Sequence, residues 1–295
     1  GTAVRDAVYR ASTQRFVLAL EGAQVLELNA RDGSRLAGPL PAVATGVPAE
    51  IGAALSSDGT RVVFLTKPPQ VIDTSTGERV CALATQGRPV GRPVWSPDGQ
   101  HVMVTHGPLA LVAIYSATSG ALEQELRGHV GFTLHAIWLP DGRVATTARD
   151  TSVRVWDPTT GRQLAMAAGL SMRGNTIDAS FDGSWMSFLS TSIYLIDARQ
   201  APQMPLIATL PRDENLQTVR FDGAAPQFVT VGQDGTIRTW QMDAAAQARE
   251  VRARGFVDMP TGIQRAAGGD VRLDPHADSH AALALSYCER AKALV

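Results

Sequence analysis

The sequence is short of most features that announce a function. Its 27 Lys and Arg stand against 28 Asp and Glu, a net charge of −1 over 295 residues. That balance leaves no electrostatic footprint for nucleic acid or an anionic membrane, and neither is an expected partner. There are two cysteines, Cys81 and Cys288, far apart and in no metal-ligand spacing. This argues against a disulfide framework or a cysteine-ligated metal. No apolar run approaches the roughly 18 residues that a membrane helix needs. The Gly-x-Ser-x-Gly turn that lifts a serine nucleophile is missing, as are a Walker loop and a dinucleotide-binding glycine fingerprint. No metal or cofactor is expected. The chain opens on Gly1, without Met or a leader, and is expected to be a piece of a longer protein, in the cytoplasm.

What is present is a repeat. Turns of the form x-Asp-Gly recur at Ser57-Asp58-Gly59, Pro97-Asp98-Gly99, Pro140-Asp141-Gly142, Phe181-Asp182-Gly183 and Phe221-Asp222-Gly223, with glycine spacings of 40, 43, 41 and 40. A second marker, an apolar residue before a small polar one, falls at Leu28, Ile72, Tyr115, Trp156, Ile196 and Trp240, in steps of 44, 43, 41, 40 and 44. A third is the glycine of a Gly-closed turn at Gly33, Gly77, Gly120 and Gly161. Three markers with one period and one phase define a structural unit.

Each unit reads as four short strands. In the third, "RPVWS" is a first strand, "PDG" a tight turn, "QHVMVT" a second strand, "LVAIYS" a third, "ATSG" a turn and "ALEQEL" a fourth. Pro presets φ at the first corner of the tight turn, Asp suits the second, and Gly accepts the left-handed conformation that closes it. Val, Ile, Leu, Phe and Thr fill the strands. A four-stranded sheet every 40–45 residues is the pattern of a β-propeller blade, and the period persists because each blade is buried against its neighbours. The expected fold is all-β: a propeller of four-stranded antiparallel blades, six or seven in number, over 1–255. An irregular tail follows over 256–295, ending in a short amphipathic helix.

Residues 126–157 carry Gly128-His129, Asp150 and Trp156-Asp157, and this set resembles the WD40 repeat family. The resemblance extends over six repeats, roughly residues 3–250. Only the fourth has the full signature; the sixth keeps Asp234-Gly235-Thr236 and Trp240 without Gly-His. It implies a hydrogen-bonded tetrad within one blade, which maps to His129, Asp150, Thr146 or Thr147, and Trp156. Such a set pins two loops and gives a buried imidazole and indole their partners. Its implied role is structural rather than catalytic, and losing Asp150 is expected to destabilise the blade by about 1–3 kcal/mol.

Other candidate chemistry is thin. "HADSH", His276 to His280, offers two His and an Asp but no third ligand cluster, and Asp278 or Ser279 suits a helix N-cap. His101 and His135 fall on strands, as does Cys81 on an outer one, while Cys288 falls in a helix. All four read as packed or solvated rather than reactive. "AAAQAREV" (244–251) is helix-prone where a short turn belongs, and 279–294 places apolar residues at 283, 287, 291 and 294, a helical spacing.

The resemblance implies a non-catalytic scaffold or sensor that binds protein partners, of the kind built into larger bacterial signalling or assembly proteins. The alternative is a propeller of a hydrolase or peptidase, TolB-like or prolyl-oligopeptidase-type, because "WSPDG" (95–99) also occurs there. The Gly-His and Trp-Asp pairs favour the first. Sorting charges by turn then separates two faces of the disc. One collects Lys67, Arg88, Arg92, Arg127, Arg149, Arg173 and Arg212 against Glu21, Asp213 and Glu214; the other collects Asp58, Asp98, Asp141, Asp182 and Asp222. The basic face is the expected site for acidic protein segments.

Overall fold

In the computed structural model, residues 4–41, 52–88, 91–170, 176–180, 182–189, 192–198, 202, 204, 206–211, 216–221, 227–232, 237–242 and 248–254 are described. They form six four-stranded antiparallel sheets, each taking its strands in sequence order. Blade 1 is β1 to β4 (Val4–Arg10, Arg15–Leu20, Gln24–Asn29, Arg35–Pro41), and blade 2 is β5 to β8 (Ala53–Leu55, Arg61–Phe64, Gln70–Asp73, Arg79–Ala82). Blade 3 is β9 to β12 (Pro93–Trp95, His101–His106, Leu111–Ser116, Leu122–Arg127), and blade 4 is β13 to β16 (Thr133–Trp138, Val144–Ala148, Val153–Trp156, Gln163–Ala167). Blade 5 is β17 to β20 (Thr176–Ala179, Trp185–Leu189, Ser192–Asp197, Leu206–Pro211), and blade 6 is β21 to β24 (Leu216–Phe221, Gln227–Gly232, Ile237–Met242, Ala248–Arg254). Gly107–Leu109 is a short 3-10 segment, and among the described residues no helix is long and apolar enough to cross a membrane.

The tight turns explain why the strands break where they do. In blade 2 the Ser56 hydroxyl donates to Asp58, the Thr60 N–H donates to the same carboxylate at 2.9 Å, and Gly59 takes φ +67°. The same arrangement recurs with Ser96, Asp98 and Gln100 in blade 3, and with Ser180, Asp182 and Ser184 in blade 5. The carboxylate thus supplies acceptors for a turn whose backbone donors have no strand partner.

Most of the core lies between blades, although one cluster, Phe16, Leu18, Leu20, Leu26 and Leu28, belongs to blade 1 alone. Val63, Val71 and Leu83 of blade 2 pack with Val102, Val104 and Tyr115 of blade 3. Met103, Val112 and Ile114 of blade 3 pack with Val144 and Trp156 of blade 4, and Val153 and Val155 of blade 4 with Met186, Phe188 and Ile196 of blade 5. Alternate residues of one strand serve two neighbours, as the two-residue side-chain period of a strand requires.

First strands are innermost: β1 meets β5, β5 meets β9, β9 meets β13, β13 meets β17 and β17 meets β21. A cavity of about 490 Å³ is lined by residues from the first strands of all six blades, Asp6, Ala54, Val94, Ile137, Asp178 and Arg220 among them. Polar ties cross between neighbours here. Asp6 accepts the Leu55 N–H at 2.7 Å, Asp178 accepts the Phe221 N–H at 2.9 Å, and the Trp95 indole donates to the Ala54 carbonyl at 2.8 Å. Trp95→Phe is expected to shift the urea midpoint by the equivalent of about 1 kcal/mol, since it leaves the Ala54 carbonyl without that donor. An unchanged midpoint would show that this tie contributes nothing.

One sequence expectation is corrected. Part of the helix-prone 244–251 segment is strand, because Ala248–Arg254 pairs along β23, with Arg252 opposite Thr239 and Glu250 opposite Trp240. Completing a sheet outweighs the modest helix preference of Ala, Arg and Glu. The tail over 256–295, the helix expected over 279–294, the HADSH stretch and Cys288 lie outside the described residues.

Candidate functional site

In blade 4 the chain brings His129, Asp150, Thr146 and Trp156 into one hydrogen-bonded set. Gly128 makes the entry possible. Its φ is +148°, and a Cβ there would lie 2.9 Å from the Arg154 guanidinium and 3.2 Å from the Trp156 ring. His129 follows in the β12–β13 connection, Thr146 points from β14, Trp156 closes β15, and Asp150 sits in the β14–β15 turn. His129 Nδ1 is 2.8 Å from Asp150 Oδ2, and Nε2 is 2.8 Å from Thr146 Oγ1. The Trp156 indole donates to the same Thr146 oxygen at 2.7 Å.

One proton arrangement satisfies every member. Neutral His129 carries its proton on Nδ1 and donates to Asp150, while the Thr146 hydroxyl donates to Nε2 and accepts from Trp156. The pKa shifts agree with it. Burial pushes His129 below its ordinary value, against the pull of Asp150. Burial alone would raise Asp150, but hydrogen bonds from the Ser152 hydroxyl, the His129 ring and the Val130 N–H outweigh it and bring it down to about 2. Arg154 adds a contact to Asp150 at 3.2 Å.

Both ring nitrogens of His129 are engaged, and the side chains of His129 and Asp150 are only 1% and 5% exposed. A general base has to reach a substrate proton, and this pair reaches only its own blade. Its product is a fixed loop: the Val130 N–H donates to Asp150 at 3.1 Å, and the Arg149 N–H donates to the Phe132 carbonyl at 2.9 Å.

Thr147 does not join the set. Successive strand residues face opposite sides, so Thr147 points away from His129, and its buried hydroxyl has no partner among the described residues. The sequence reading kept Trp240 in blade 6 without its partner Thr230, and it missed a related pin in blade 3. In blade 6 the Trp240 indole donates to Thr230 at 3.0 Å, the same ten-residue offset as Trp156 to Thr146. In blade 3 Tyr115 takes the place of Trp156, and its hydroxyl lies 3.1 Å from His106 Nε2.

The remaining candidates are dispersed. His101 pairs with Glu123 at 3.0 Å on the surface of blade 3. His135 borders the central cavity with Arg92, and burial followed by the Arg92 charge lowers its pKa. Cys81 is buried, its thiol pushed up by that burial. Among the described residues no group of three or more His, Cys, Asp or Glu is placed to hold a metal ion.

Of the basic set, Lys67, Arg92, Arg127 and Arg149 are exposed. Arg173 and Arg212 lie outside the described residues, as do Asp213, Glu214 and Asp222. A carboxylate that sorting by turns overlooked lies among them. Glu125, on β12, pairs with Arg88 and accepts from Arg127 Nε at 2.9 Å. Glu21 is paired with Arg5 at 2.8 Å. Arg92 and Arg149 make no ion pair among the described residues. Asp58, Asp98 and Asp182 serve their own turns.

No curated protein matches the chain. A family model described as WD domain, G-beta repeat matches residues 120–157, the stretch that runs from Gly120 through the whole tetrad. The match takes in β12 of blade 3 and the first three strands of blade 4, and with six four-stranded sheets in sequence order it supports a likeness of the chain to the WD40-repeat family.

Proposed function

We propose that this chain is a non-catalytic protein-interaction propeller, a scaffold or sensor module of a larger bacterial signalling or assembly protein in the cytoplasm. It takes acidic protein segments on the end of the disc that bears the β14–β15 turn and the β12–β13 connection. The observation that carries this reading is the state of the charges. Arg92 and Arg149 are exposed without an ion pair among the described residues, whereas the aspartates at the opposite end are committed to their turns. An unpaired guanidinium offers a carboxylate two parallel hydrogen bonds. The burial of the His129–Asp150 pair supports a binding role over a hydrolytic one.

Photo-crosslinking in cells tests it. A benzoylphenylalanine placed at Arg92 or Arg127 is expected to trap a protein, and one at Gln100 or Thr118, on the opposite end, is not. Trapping should weaken as salt is raised in lysates, because exposed charges are screened over about 8–10 Å. Adducts from the opposite end alone, or from neither, would overturn the reading.

A further inference from the structure

We infer that Val130 and Phe132, with Leu109 beside them, form a preformed apolar anchor on that end of the disc, and that the segment it takes carries an apolar side chain next to a carboxylate. The inference rests on the interaction reading above and gives it a place and a partner chemistry. Val130 is 87% exposed, Leu109 47% and Phe132 44%. Single exposed apolar residues are ordinary on a protein surface, but a cluster on adjoining loops is not. These three adjoin. Leu109 lies in the β10–β11 connection, and the Phe132 ring rests on the same turn, so closely that a Cβ at Gly107 would lie 2.2 Å from it.

The blade's internal bonds hold this cluster in place. The Val130 N–H and the Phe132 carbonyl are both fixed to the β14–β15 turn, and a Cβ at Gly131 would lie 2.7 Å from the Asp150 nitrogen. Blade 4 alone has the full Gly-His, Asp and Trp-Asp set in its sequence. The one fully pinned loop therefore presents a valine and a phenylalanine to solvent. A rigid apolar loop gives up little conformational freedom when a partner covers it, which is how binding surfaces gain affinity from small areas.

Charge complementarity selects the occupant. The Arg149 guanidinium sits 5.3 Å from the Phe132 ring centre and has no ion pair among the described residues. Resting on an aromatic face, it keeps its in-plane N–H groups free for a carboxylate. Arg127 stands at the base of the same connection, shared with Glu125. An apolar side chain over Val130 and Leu109, with an acidic neighbour on Arg149, satisfies both halves of the patch.

Fluorescence anisotropy with three labelled ten-residue peptides tests this on the full chain: one alternating Asp and Leu, one alternating Asp and Ser, one alternating Lys and Leu. The Asp/Leu probe is expected to bind at least tenfold tighter than either control. Val130→Ser is expected to weaken it about tenfold, and Val130→Ser with Phe132→Ser further still. Arg149→Gln should weaken it and flatten its salt dependence. Val130 is so exposed that its single variant keeps the test valid even if the double variant folds poorly. Equal binding of the Asp/Leu and Asp/Ser probes, untouched by Val130→Ser, would overturn the anchor and leave the basic-face reading standing. Binding of the Lys/Leu probe alone, or no binding of either acidic probe, would overturn both.

Discussion

Asp150→Ala is expected to lower stability by about 3 kcal/mol, at the upper end of what one hydrogen-bonded residue contributes. Its carboxylate accepts from the His129 ring, the Val130 N–H, the Ser152 N–H and hydroxyl, and Arg154. Alanine removes all five acceptances and leaves the Arg154 charge without its anion, while water can reach only part of the set. Two neighbouring threonines give the internal control. Thr146→Val is expected to be destabilising by about 2 kcal/mol, because both the His129 Nε2 and the Trp156 indole lose their partner. Thr147→Val is expected to be neutral or slightly stabilising, since it replaces a buried hydroxyl that has no partner among the described residues with a methyl of similar size. Urea midpoints of the three variants decide the matter. Equal losses at 146 and 147 would mean that the tetrad contributes nothing beyond ordinary packing.

That pair of threonines also shows where sequence reading stops. The turns were legible because Ser, Asp and Gly act on their own neighbours, as in Ser56-x-Asp58-Gly59, whose bonds span at most five residues. The repeat was legible for the same reason. Choosing between Thr146 and Thr147 needs strand register, which places Thr146 opposite Arg154 and fixes the face each hydroxyl takes. Thr230 carried a usable signal in its ten-residue offset from Trp240, but the His106–Tyr115 pin has no counterpart in the family pattern. Glu125 was missed because charges were assigned to faces by turn, and a strand residue on the outermost strand reaches over the edge to Arg88 and Arg127. The exposure of Val130 and Phe132 is a tertiary fact. Apolar residues near a strand start read as core until the neighbouring loops are placed.

Acid is expected to unfold this chain in two stages. The first is shallow and begins below about pH 6.5, the ordinary histidine value. His129 and His135 are held neutral by burial, so the unfolded chain takes up their protons first, and stability is lost as pH falls from the unfolded value toward the lower folded one. The second is steep and lies between about pH 4 and pH 2. Asp150, at about 2 in the fold, contributes stability that is complete above its unfolded value and is lost as pH falls through its folded one. At roughly 1.4 kcal/mol per unit of pKa, this amounts to about 2 kcal/mol. Partial burial would raise Asp58 and Asp182, but serine hydroxyl and turn N–H bonds outweigh it and hold both low; at Asp98 the Ser96 hydroxyl is the chief cause. These add to the loss with the same sign. Asp6 and Asp178 oppose it. Burial raises both, so the fold prefers their protonated forms and gains as pH falls through their folded values, although a protonated carboxyl still accepts the Leu55 or Phe221 N–H. The histidine step and the Asp150 step separate in a comparison with Asp150→Asn, which keeps an acceptor in place but does not titrate. Between pH 5 and pH 2 the stability gap between the native chain and this variant is expected to close by about 2 kcal/mol. A gap that stays constant to pH 2 would mean that Asp150 titrates like a free carboxylate, and that the loop bearing Val130 and Phe132 is held by packing rather than by charge.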